Sequence, residues 1–175
     1  DIYVMHGEEQ ESVGAGTGAT VGKICGMERA MKSGLGMYAV ELGELRMAAV
    51  VVVNALGDIF DPSTGKKIAG LLTADGTSFG DSCEELWKMG RRENLFTGNT
   101  TIGAVFTNGK FNKAQMNKIA SMTRNAYARC INPVGTMADG DSIYAASAGD
   151  VEADLNVAGT LAAYVMERAI VAAIR

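Results

Sequence analysis

The sequence predicts a layered domain of the α/β or α+β class, with strands bounded by helices. Three observations predict it. Residues 47–53 form an unbroken, β-branched apolar run; residues 100–107 (TTIGAVFT) regain strand character after a polar stretch; and residues 113–131 and 155–174 carry helical patterns.

In chain order, residues 2–5 (IYVM) read as a strand. Residues 12–36 are glycine-dense and read as a loop whose backbone passes close to other chain. The run at 47–53 reads as a strand buried on both faces, with residues 38–42 as its hairpin partner. Residues 57–99 change character. Turn signals at 61–65 and 75–76 and abundant charge mark an exposed connector that carries one helix near 82–91. Asn108-Gly109 ends the strand that follows. In the next helix Met116, Ile119, Ala120, Thr123, Ala126, Tyr127 and Cys130 recur at steps of three and four, which gathers them on one face, and Pro133 lies just beyond its end. Residues 142–147 form a short strand after the acidic turn Asp139-Gly140-Asp141. The closing helix is apolar over most of its surface and therefore buried.

The length of 175 residues suits a single domain, 1–175, with a sizeable core. Hydrophobic residues make up 47% and charged residues 21%, a globular profile. The net charge is -4 and no Lys/Arg block stands out, which argues against nucleic acid and membrane surfaces as partners. Cys25, Cys83 and Cys130 are odd in number and widely spaced, as expected of reduced thiols in a cytoplasm. The uncharged stretch 155–166 is too short to span a bilayer. The chain begins at Asp1, inside a strand pattern, and reads as a piece of a longer gene product.

The chemistry available is limited. The one histidine, His6, would have to serve any Ser-His-Asp or Cys-His site, and one histidine builds no His-based metal centre. Asp139 and Asp141 are thin coordination for calcium or magnesium, so no metal is expected. The segment 14–19 (GAGTGA) fits a dinucleotide loop only loosely, with no clear strand leading into it, and Ile24 stands where a phosphate-binding loop needs Ser or Thr. No cofactor is expected. A threonine at a new N-terminus carries its own base, an α-amino group with a pKa of about 8. The Asn99-Thr100 bond, where the connector meets a strand, is a place to make such a terminus: the Thr100 hydroxyl attacks the Asn99 carbonyl, the acyl group shifts to oxygen, and water releases it. On spacing alone, this common tripeptide reads rather as a plain strand start.

Four segments occur in order: SVGAGTGATVGK (12–23), AAVVVVNALGD (48–58), GNTTIGAVFTN (98–108) and MADGDSIYA (137–145). Together with the closing helix they resemble the DmpA-type aminopeptidase family, which also contains the 6-aminohexanoate (nylon) oligomer hydrolases, and the resemblance covers nearly the whole chain. It implies a four-layer αββα sandwich like that of N-terminal nucleophile hydrolases, with its own strand connectivity, incomplete in this chain. It also implies a self-cleaving precursor about twice this length, in which residues 1–99 end the α subunit and residues 100–175 form the β subunit. Through the resemblance Thr100 aligns with the nucleophile and Asn99 with the residue left at the α C-terminus. Lys23 aligns with a catalytic lysine whose ammonium holds the nucleophile's hydroxyl and favours its free amine. Asn54 aligns with an active-site asparagine whose amide donates to the oxyanion. Asp139 and Asp141 align with an acidic pair that orients the amine or Lys23, or forms only a turn. The implied partners are the N-terminal portion of the precursor, further copies in a homotetramer or larger assembly, and a small peptide or amide substrate. The Asn-Thr-Thr junction looks more like the nylon-oligomer hydrolases than the aminopeptidases that cleave before Ser.

Overall fold

The computed structural model describes residues 2–5, 12, 14–90 and 98–174; His6 lies outside them, as does the stretch 91–97 of the expected connector. Strands β1 (Ile2–Met5), β2 (Thr20–Val21), β3 (Met31–Lys32), β4 (Leu35–Leu42), β5 (Leu45–Val52), β6 (Asp58–Asp61) and β7 (Lys66–Ala69) come first. Helix α1 (Ser82–Met89), strand β8 (Ile102–Gly109), helix α2 (Lys113–Cys130), strands β9 (Ile131–Asn132) and β10 (Ser142–Val151), and helix α3 (Leu155–Ala172) follow. The main sheet has the order β1-β4-β5-β8-β10. β4 and β5 form the expected hairpin, and β5 pairs antiparallel with β8. β8 and β10 run parallel, with α2 in the crossover between them.

Helices α2 and α3 pack on one face of this sheet. Leu45, Met47, Ala49 and Val51 of β5 and Val105 of β8 point into that layer, against Ile119, Ala126 and Tyr127 of α2 and Val165, Met166 and Ala169 of α3. Alternation along a strand sends every second residue to the opposite face. There Ala48, Val50 and Val52 are only half-buried, while Ile102, Phe106 and Tyr144 are exposed. The expectation that β5 is buried on both faces is therefore corrected: among the described residues, its second face has no covering layer. α3 is long and apolar enough to cross a membrane by length and composition, yet it serves here as a core helix under β4 and β5.

Helix ends follow local chemistry. Asn112 and Gln115 form a reciprocal capping box at the start of α2, and the Asp81 and Asp154 side chains cap α1 and α3. α1 ends at Met89, before Gly90, two residues earlier than the spacing suggests.

The larger correction concerns residues 57–90, expected as an exposed connector. β6 pairs with both β7 and β9 in a second sheet, and Ile59, Ala69 and Leu71 are fully buried. Its hub is the buried carboxylate of Asp58. That carboxylate accepts from Lys67 Nζ (2.6 Å), Leu71 N (2.8 Å), Ser82 N (3.0 Å) and Ser82 Oγ (2.7 Å). Charge made the segment look solvated, but here a charged pair is buried because every partner it needs is supplied.

Candidate functional site

A small apolar cluster of Ile24, Leu56, Leu71 and Ala138 lies apart from the main core, with Leu86 and Met89 of α1 packed on it. Three of its four members stand beside a predicted site residue: Lys23 is next to Ile24, Asn54 is two before Leu56, and Asp139 is next to Ala138. The 57–90 segment thus builds the floor on which the site rests. Backbone contacts fix the arrangement. Gly22 N and Lys23 N donate to Gly57 O and Leu56 O, both at 3.0 Å. Gly22 has φ +71°, and a Cβ there would stand 2.0 Å from Leu71 N, so only glycine lets the Lys23 loop lie this close.

The structure brings Lys23, Asn54, Asn99 and Thr100 together. Lys23 is 2% exposed, and its Nζ donates to Asn54 Oδ1 at 2.6 Å and to Gly98 O at 3.4 Å. Asn54 Nδ2 donates to the same Gly98 carbonyl at 3.0 Å, and Thr20 N donates to Asn54 Oδ1 at 3.3 Å. Thr100 N donates to the Asn54 backbone carbonyl at 2.8 Å. Thr100 Oγ1 donates to the Asn99 carbonyl at 2.7 Å, so the hydroxyl lies against the group it would attack. Asn99 is buried and Thr100 half-buried.

The acidic pair lies on the facing segment. Asn99 bridges Asp139 in parallel register, Gly140 N donates to Asn99 O (2.8 Å), and Ser142 N donates to Thr101 O (3.0 Å). This continues the β8–β10 pairing past the end of the regular strands. Asp141 Oδ1 accepts from Thr101 N at 2.8 Å, so its carboxylate contacts the chain one residue beyond Thr100. Asp139 Oδ2 accepts from Thr136 N (2.9 Å) and Thr136 Oγ1 (2.8 Å), the geometry of a turn.

Burial lowers the Lys23 ammonium from 10.5 to about 8, against the opposing pull of the Asp139 charge. Burial likewise raises Asp141; the bond from Thr101 N opposes this, Asp139 adds to it, and Arg124 opposes it. The Lys23 shift makes a prediction. In the unfolded chain Lys23 holds its proton up to about 10.5, whereas in the folded chain it loses it near 8. Between those values the unfolded state binds more protons, so stability contributed at this site rises with pH. Urea unfolding of the wild type and Lys23→Met at pH 7 and pH 10 checks this: the wild type should gain on the variant at the higher pH, and a constant difference would refute the shift.

Sequence reasoning missed Gly98, whose carbonyl both Lys23 and Asn54 hold, and Gly140, whose amide meets the Asn99 carbonyl. Both contacts come from backbone atoms, which every residue carries; the one signal in residue type is the glycine at 140, where a Cβ would stand 2.7 Å from Thr100 Oγ1. Among the described residues, no group of three or more His, Cys, Asp or Glu side chains could hold a metal ion.

With this geometry in place, comparisons with known proteins are informative. The family model for peptidase family S58 matches residues 6–175. An uncharacterised aminopeptidase of Mycobacterium leprae is 33% identical over 144 residues, covering 81% of this chain and 38% of its own length. A 6-aminohexanoate-oligomer endohydrolase of Kocuria sp. is 29% identical over 153 residues, covering 86% and 43% respectively. Among solved structures, the L-aminopeptidase D-Ala-esterase/amidase of Ochrobactrum anthropi superposes with a TM-score of 0.62 at 18% identity, over 95% of this chain and 44% of that one. Its fold is a variant of the N-terminal nucleophile hydrolase fold, the class the sequence predicted. The chain spans less than half the length of these relatives. The chain belongs to peptidase family S58, the DmpA-type family.

Proposed function

We propose that this chain is part of a self-processing amide hydrolase that cleaves between Asn99 and Thr100 and then uses Thr100 as an N-terminal nucleophile. One observation carries the proposal: the Thr100 hydroxyl lies 2.7 Å from the carbonyl oxygen of the preceding residue, in a site walled by Lys23 and Asn54. Cleavage turns the Thr100 amide into an amine that retains the Asn54 carbonyl as its acceptor. That amine serves as the base for the next round of chemistry. Lys23, charged at neutral pH and held on Asn54, disfavours a second positive charge on the amine and so keeps it free. Release of the Gly98 carbonyl frees Asn54 Nδ2 to donate to a substrate's oxyanion. Asp141 fixes the chain beside Thr100.

The substrates proposed are short peptides with a free amino end or related amides, because relatives are named as aminopeptidases. Linear 6-aminohexanoate oligomers are the second reading, favoured by relatives named as hydrolases of them. The enzyme is proposed to act in the cytoplasm as a homo-oligomer, with the N-terminal portion of the precursor covering the bare sheet face of Ile102, Phe106 and Tyr144. A non-catalytic relative that only binds a ligand or builds an oligomer is the contrasting reading.

Intact-mass measurement on the purified full-length protein tests the mechanism. A fragment beginning at Thr100 is expected. Its absence after long incubation rules out self-processing. Hydrolysis of the p-nitroanilides of L-Ala, D-Ala and β-Ala, assayed beside 6-aminohexanoate oligomers, separates the substrate classes, and activity on none of them refutes both.

A further inference from the structure

We infer that the backbone amide of Gly140 is the oxyanion donor for self-cleavage. The inference rests on the self-processing reading above and assigns a group within it. Among the described residues, the Asn99 carbonyl oxygen accepts from the Thr100 hydroxyl at 2.7 Å and from Gly140 N at 2.8 Å. The hydroxyl is the attacking group and leaves the oxygen as it moves to the carbon. Gly140 N–H remains, at a distance within the range that stabilises a developing oxyanion. The Asn54 side chain, the natural candidate for this task, is engaged elsewhere: its Nδ2 donates to the Gly98 carbonyl, one residue earlier.

Two further observations support the assignment. The Asn99–Asp139 bridge and the Ser142-to-Thr101 bond flank the contact, so the register of two parallel segments holds the amide in place without any side chain. A Cβ at Gly140 would stand 2.7 Å from Thr100 Oγ1, so glycine is the residue that allows both the hydroxyl and the donor to reach one carbonyl.

The step balances within the chain. Thr100 Oγ1 bonds to the Asn99 carbonyl carbon, and the carbonyl electron pair moves to its oxygen, where Gly140 N–H receives it. The C–N bond then breaks. Its electron pair goes to Thr100 N, which takes the proton the hydroxyl gave up, leaving an ester. Water adds to the ester carbon and expels Oγ1, which regains a proton. The products are the Asn99 carboxyl group and the Thr100 amine.

Replacing Gly140 with glycolic acid, by cell-free translation of the full-length chain, turns this N–H into an ester oxygen and adds no side chain. The fragment beginning at Thr100 should then appear on the order of 100-fold more slowly by intact mass. Hydroxylamine, which captures the ester intermediate, should trap it correspondingly more slowly, because the donor acts on the step that forms it. The same replacement at Gly65, whose N–H donates to Asp61 O at 2.8 Å in a distant turn, should leave the rate unchanged. An unchanged rate for the Gly140 ester overturns the assignment while self-processing stands. Equal slowing by the Gly65 ester also overturns it, since the effect is then general. An unaltered chain that never cleaves removes both readings.

Discussion

Thr100→Ala should give a full-length chain that stays intact and inactive. Alanine keeps the backbone, so Thr100 N still reaches the Asn54 carbonyl and the β8 entry should be undisturbed. What is lost is the hydroxyl lying against the Asn99 carbonyl. Without it there is no oxygen to take the acyl group, no ester, and no new amine to act as base. Loss of a catalytic nucleophile costs about 10⁶-fold in kcat in well-studied hydrolases. Intact mass and a chromogenic anilide assay read the two consequences separately. Thr100→Ser, which keeps a hydroxyl, should restore cleavage. A cleaved Thr100→Ala chain would mean that an external protease cuts the bond, and would remove Thr100 from the mechanism.

Asp58→Ala should be the most destabilising change outside the core. It strips one carboxylate from four donors: Lys67 Nζ, Leu71 N, Ser82 N and Ser82 Oγ. The Lys67 side chain is only 14% exposed, and its ammonium would be left without its counterion. Removing one partner of a buried pair typically costs about 3–5 kcal/mol. A lowered urea midpoint with an unchanged slope is the expected result. Asp58→Asn should recover part of the loss, because Oδ1 can still accept from Leu71 N and Ser82 Oγ. The effect should also reach function, since Leu71 and α1 support the cluster behind Lys23 and Asn54. A loss below about 1 kcal/mol would show that the hub contributes little beyond an exposed ion pair.

The sequence by itself determined the elements with strong periodicity and named the candidate site residues that the structure brings together. Of the α2 pattern, Met116, Ile119, Thr123, Ala126, Tyr127 and Cys130 form the buried face observed and Ala120 lies half-buried at its edge, because a helix repeat alone fixes which residues share a side. The β4–β5 hairpin was legible from the β-branched apolar run at 47–53 beside the short strand pattern at 38–42. Thr100, Lys23 and Asn54 were legible only as members of ordered motifs; by spacing they are far apart, and no periodicity relates them. Tertiary structure decided the rest. It turned residues 57–90 from an apparent connector into the floor of the site, because charge in a sequence does not reveal whether partners will surround it, and Asp58 finds Lys67, Leu71 and Ser82 within this same segment only once it has folded back on itself. Among the described residues it left one face of β5 uncovered, because an apolar run states that a face seeks burial but not which chain supplies the cover. It also set the backbone contacts at Gly98 and Gly140, since every residue carries the same amide and carbonyl and only the register of facing segments decides which of them meet.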